Sequence, residues 1–82
     1  MELVGFLSNV ADAALAIDSG RKGFATRGKA EEGRISYEEG ISEALSAFRD
    51  AQSSIDSQTI ILVEYAFINQ EFQANLSTAQ SG

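Results

Sequence analysis

The chain has no cysteine, no proline and no histidine among its 82 residues. Without cysteine no disulfide can form, and without histidine as well, zinc fingers and zinc ribbons are excluded. The lack of histidine also excludes a Ser-His-Asp triad and the Glu-x-x-His motifs of helical-bundle metal sites. Without proline, nothing interrupts a helix through a missing N–H or a ring clash. We therefore predict an all-α protein that is not an enzyme and holds no cofactor or metal.

The length and charge of the chain limit what it can do alone. Eighty-two residues make one domain, 1–82, and a domain this small buries only about 60% of the surface of its unfolded chain. We therefore expect the fold to be completed by self-association or by a protein partner. The net charge of −6 argues against nucleic-acid binding, which needs clustered basic residues.

The basic residues are unevenly placed along this acidic chain. Five of the six fall between residues 21 and 34 and are candidates for electrostatic contact with a partner: Arg21, Lys22, Arg27, Lys29 and Arg34. The alternative is that this segment is a solvated loop.

No targeting or membrane signal stands out. The longest apolar run, residues 60–68, has nine residues and contains Glu64, whereas a bilayer span needs about 20. The N-terminus carries no early Lys or Arg, unlike the n-region of a signal peptide. We expect no membrane-spanning segment and, by default, a cytoplasmic protein.

The first third of the chain has the pattern of an amphipathic helix. Apolar residues recur at steps of four and three: Leu3, Leu7, Val10, Ala14 and Ile17. This spacing predicts a helix over 3–19, with Gly20 in the C′ position that ends it. Residues 20–40 then contain five of the seven glycines, and each glycine costs a helix about 1 kcal/mol relative to alanine. We therefore predict a glycine-rich connector over 20–36, followed by a capping box of Ser36 and Glu39.

The rest of the chain is predicted to be one long helix, 37–79, packing back on the first. Its second half carries large apolar residues at helical spacing, which we call the 61–76 stripe: Ile61, Tyr65, Ile68, Phe72 and Leu76. A short first helix cannot cover this stripe, and exposed apolar patches usually mark binding sites. Residues 59–68 are also rich in β-branched and aromatic residues, so a strand is the alternative there. The absence of a second strand favours the helix.

One segment comes close to a phosphate-binding loop. Residues 23–30 nearly match the pattern G-x-x-x-x-G-K-[ST], and Lys29 occupies the position of the phosphate-binding lysine. However, Ala30 replaces the hydroxyl that binds magnesium, and no strand clearly precedes the segment. A flexible glycine-rich connection is the favoured interpretation.

From residue 30 to residue 82 the chain resembles part of the periplasmic helical hairpin of TolC-like outer-membrane efflux proteins. The resemblance is carried by Ala30-Glu31, Tyr37-Glu-Glu-Gly40, Asp50-Ala51-Gln52, Leu76-Ser-Thr-Ala79 and Gly82. A vaguer similarity links residues 48–53 to the short helical-hairpin subunits of type III secretion needles. Both resemblances imply a helical subunit that packs against its neighbours in a larger conduit.

The sequence therefore favours a non-enzymatic helical interaction module, a hairpin or small bundle of coiled-coil character. It would self-associate, or dock on a partner, through the 61–76 stripe. Two alternatives stay open. One is a structural subunit or fragment of an efflux or secretion conduit, and the other is a small acidic inhibitor that blocks a basic nucleic-acid-binding site.

Overall fold

A computed structural model describes residues 2–81, and side chains from 2 to 80. This part of the chain folds into α1 (Leu3–Phe24), α2 (Ala30–Ala51) and α3 (Ser57–Ser81), with no strand. The prediction of an all-α fold is confirmed, and residues 59–68 are helical, so the strand alternative is wrong. Gly82, the last residue of the efflux-protein resemblance, lies outside the described residues.

Helices α1 and α2 form a closely packed antiparallel hairpin, in which α1 ends later and α2 begins earlier than the sequence predicted. The predicted end of the first helix at 19 is wrong, because α1 continues through Gly20 to Phe24. The predicted connector over 20–36 shrinks to residues 25–29, where Gly28 has a φ of +84°. Ser36 and Glu39 lie inside α2, so they form no capping box at its start.

These glycines lie inside helices because the backbones of α1 and α2 pack against each other at these positions. A Cβ atom added to Gly20 would lie 2.6 Å from the carbonyl oxygen of Gly33, and one added to Gly40 would lie 2.9 Å from the carbonyl oxygen of Ala13. We call these facing residues, Gly20, Gly23, Gly33 and Gly40, the glycine seam. Backbone packing across the seam offsets the helix propensity that each glycine loses.

The single long helix predicted over 37–79 is also wrong, because the chain turns between α2 and α3. The carbonyl oxygen of Ala51 accepts hydrogen bonds from the backbone N–H groups of Ser54 (3.1 Å) and Ile55 (2.8 Å), which closes a turn. Asp56 then caps α3. Its Oδ2 accepts one hydrogen bond from the backbone N–H of Thr59 at 3.0 Å and another from the Thr59 hydroxyl at 3.1 Å.

An apolar cluster joins α3 to the hairpin next to this turn. Its buried members come from all three helices: Phe6, Val10, Ala47, Ala51 and Ile60. Phe48 stacks edge-on against Phe6 at a centroid distance of 5.5 Å and against Phe67 at 6.1 Å. Aromatic pairs in this geometry contribute about 0.5–1.5 kcal/mol beyond their buried area. The cluster therefore fixes the N-terminal half of α3 beside the hairpin.

Candidate functional site

The 61–76 stripe lies on the surface of α3. All five of its side chains are substantially exposed: Ile61 61%, Tyr65 72%, Ile68 60%, Phe72 61% and Leu76 44%. Steps of four and three residues keep them on one side of an α-helix. The stripe contains no charged residue, so it is an apolar surface that no part of the described chain covers.

The opposite side of α3 packs on the hairpin. Ile60 is buried, and Val63, Phe67, Glu71 and Ala74 are half-buried along this side. At 100° per residue, the centre of the 61–76 stripe lies about 140° around the helix from the centre of this packed side. Helix α3 is thus apolar on two faces, although one neighbouring hairpin can bury only one of them.

A buried arginine ties the C-terminal half of α3 to α1. Arg21 is only 7% exposed, and its Nε donates to Oδ1 of Asn75 at 2.8 Å. Its Nη1 donates to Oδ1 of Asp18 at 3.2 Å, and its Nη2 forms an ion pair with Glu71. We call these four residues the Arg21 network. Because each of the three guanidinium nitrogens of Arg21 donates to an oxygen of α1 or α3, the network fixes how α3 lies along the hairpin.

The five predicted electrostatic residues divide into four groups, the last of which is Arg34 on α2. Arg21 is buried within the fold, so it is not available to a partner. Lys22 pairs with Asp18 at 3.0 Å on the surface. Arg27 and Lys29 are exposed in the loop between α1 and α2. They alone of the five have no acidic group within ion-pair distance among the described residues.

Arg34 belongs to a surface cluster on α2. Its Nη1 donates to Glu38 at 3.0 Å, and its Nε donates to Glu31 at 3.0 Å. Hydrogen bonds and the positive charge of Arg34 hold the pKa of Glu31 below its usual value of 4.5. The hydrogen bonds that Arg34 donates to Glu31 and Glu38, together with the negative charges of these two carboxylates, raise the pKa of Arg34 above its usual value. These are solvent-exposed pairs between neighbouring turns of one helix, so they support α2 locally.

The described residues bear on three kinds of site or segment: a metal site, a phosphate-binding loop and a membrane span. No group of three or more acidic residues in residues 2–81 is arranged to hold a metal ion. The segment that resembles a phosphate-binding loop leads from α1 into α2, and the first turn of α2 carries Glu31 and Glu32. Two carboxylates at this helix N-terminus disfavour a bound phosphate. No helix within the described chain has the length and hydropathy needed to cross a bilayer.

The sequence predictions missed two features that hold the three helices together. One is the stripe of small residues on α2, Gly33, Gly40, Ala44, Ala47 and Ala51, whose spacing of seven, four, three and four predicts close helix packing. The other is the Arg21 network. Its sequence signal is Glu71 and Asn75, two polar residues four apart at the end of an apolar helix.

No protein-family model, curated protein or solved structure matches this chain.

Proposed function

We propose that this protein is a non-enzymatic helical assembly module, in which a second copy binds to the 61–76 stripe. The observation that carries the proposal is the exposure of five large apolar side chains on one face of α3, at 44–72% each. Leaving such a face in water is unfavourable in free energy, and its burial against another protein would be the main favourable term in association.

The size of the stripe sets the expected strength of association. A buried aromatic side chain covers about 150–250 Å², so five large side chains exposed by roughly three-fifths present on the order of 500 Å² per copy. Stable interfaces bury about 800 Å² per partner. Leu62, which is 69% exposed and adjoins the stripe, would extend the contact. We expect a reversible association that depends on protein concentration.

Light scattering at several protein concentrations, with circular dichroism on the same samples, tests the proposal. The native chain should gain mass with concentration, and Phe72→Asp should remain monomeric while keeping its helix content. Ile68→Asp should behave in the same way, because a buried unpaired carboxylate disfavours the interface.

Gln73→Asp is the matched control for these variants, since Gln73 is exposed on α3 next to Phe72 but outside the stripe. It introduces the same charge and nearly the same change in helix propensity, and it should associate as the native chain does. If Phe72→Asp keeps the native mass, the stripe is not the interface. If the native chain stays monomeric at every concentration, self-association is refuted and a different protein becomes the partner to seek.

A further inference from the structure

We infer that two copies pair through antiparallel α3 helices, with a two-fold axis that crosses the 61–76 stripe at Ile68. This inference rests on the proposed self-association and adds its geometry. A two-fold dimer uses the same patch on both subunits, so the patch must complement itself when one copy is turned through 180°.

The spacing of the stripe satisfies this requirement. Tyr65 and Phe72 lie three residues before and four residues after Ile68, and Ile61 and Leu76 lie seven before and eight after it. At 1.5 Å per residue, the members of each pair differ by only about 1.5 Å in their distance from Ile68. Rotation about Ile68 therefore places Tyr65 beside Phe72 of the second copy, and Ile61 beside its Leu76.

The ends of α3 also favour an antiparallel pair. Asp56 caps the N-terminus of the helix, but the last turn contains no basic residue to interact with its free carbonyl groups. The helix runs from Ser57 to Ser81, so Ile68 lies close to its middle. In an antiparallel pair centred there, the negative C-terminal end of each helix dipole lies beside the positive N-terminal end of the other. A parallel pair would place like ends together.

Cysteine crosslinking tests this geometry directly, because the native chain contains no cysteine. Single variants Ile61→Cys, Ile68→Cys and Leu76→Cys are oxidised at a protein concentration where light scattering shows association. Antiparallel pairing predicts that Ile68→Cys crosslinks efficiently to itself. The two Ile61 positions would lie about 21 Å apart along the helices, and a disulfide needs Cα atoms within about 7 Å. Ile61→Cys alone and Leu76→Cys alone should therefore stay largely uncrosslinked.

A mixture of Ile61→Cys and Leu76→Cys should give the mixed disulfide, identified by its mass. Gln73→Cys, outside the stripe, reports the background from random collisions. If Ile61→Cys and Leu76→Cys each crosslink to themselves above this background, the pair is parallel and the inference is wrong, although the proposed self-association stands. If all three variants associate but none crosslinks above background, the axis at Ile68 is wrong. If the native chain and the variants are monomeric by light scattering, the proposed function and this inference fail together.

Discussion

Replacement of Gly33 by alanine should destabilise the protein, although alanine is the better helix former. A Cβ atom at Gly33 would lie 2.6 Å from the carbonyl oxygen of Gly20, 2.7 Å from the backbone nitrogen of Phe24 and 2.8 Å from the carbonyl carbon of Gly23. All three are backbone atoms, so no side-chain rotation can relieve the contact. Ordinary van der Waals contact begins at 3.4 Å, so the shortest of these distances must grow by about 0.8 Å.

Two opposing terms set the size of the effect. Overpacking costs about 1–3 kcal/mol, and we expect the upper end because backbone segments must move. The gain in helix propensity from glycine to alanine is about 1 kcal/mol. The net loss of unfolding free energy for Gly33→Ala is therefore about 2 kcal/mol. For a domain of this size, that loss lowers Tm by roughly 8–16 °C.

Urea and thermal unfolding followed by circular dichroism measure this loss. Protein concentration must be held fixed, because self-association would add to the apparent stability. Gly5→Ala makes the same chemical change in α1, where an added Cβ atom meets nothing within 4 Å. It should be neutral or stabilising by up to about 1 kcal/mol. A Gly33→Ala variant as stable as the native chain would refute the close approach of α1 and α2.

Two further predictions concern charged groups. Arg21→Met should lower the unfolding free energy by about 3 kcal/mol, because it leaves the largely buried carboxylate of Glu71 without its cation. Adding Glu71→Gln should restore part of that loss in a double-mutant cycle, and fully additive losses would contradict the pairing. The lowered pKa of Glu31 predicts a small contribution to stability that is present at neutral pH and is lost as the pH falls below 4.5. Arg34→Gln should remove that contribution from an acid titration of stability, and an unchanged profile would contradict it.

The helical class and the start of α1 at residue 3 could be predicted because they depend on local information. Apolar spacing and the absence of proline act within a few turns of the chain. The helical continuation through Gly20 and Gly23 could not be predicted in this way. Glycine lowers helix propensity in isolation, and only the packing of Gly33 and Gly40 on α1 reverses that preference. That contact joins residues distant in sequence.

The sequence contains a local signal for the turn between α2 and α3, but the prediction of one long helix gave it too little weight. Gln52 and Thr59 interrupt the apolar pattern of the predicted long helix, and Asp56 has the residue type and position of an N-cap. The absence of proline favoured a continuous helix instead. The 61–76 stripe was predicted as an apolar face, and its exposure follows from the packing of the other side of α3.

The two ends of the fold differ in how they can respond to mutation. Around Phe48 the helices meet through side chains, which can change rotamer or be replaced by others of similar volume. Along the glycine seam the helices meet largely through backbone atoms, which have no such freedom. Sequence drift in this protein should therefore be tolerated at the apolar cluster and on the outer surfaces of the helices. The four positions of the seam should admit almost no residue with a side chain, although none of them is placed to contact a partner through the 61–76 stripe.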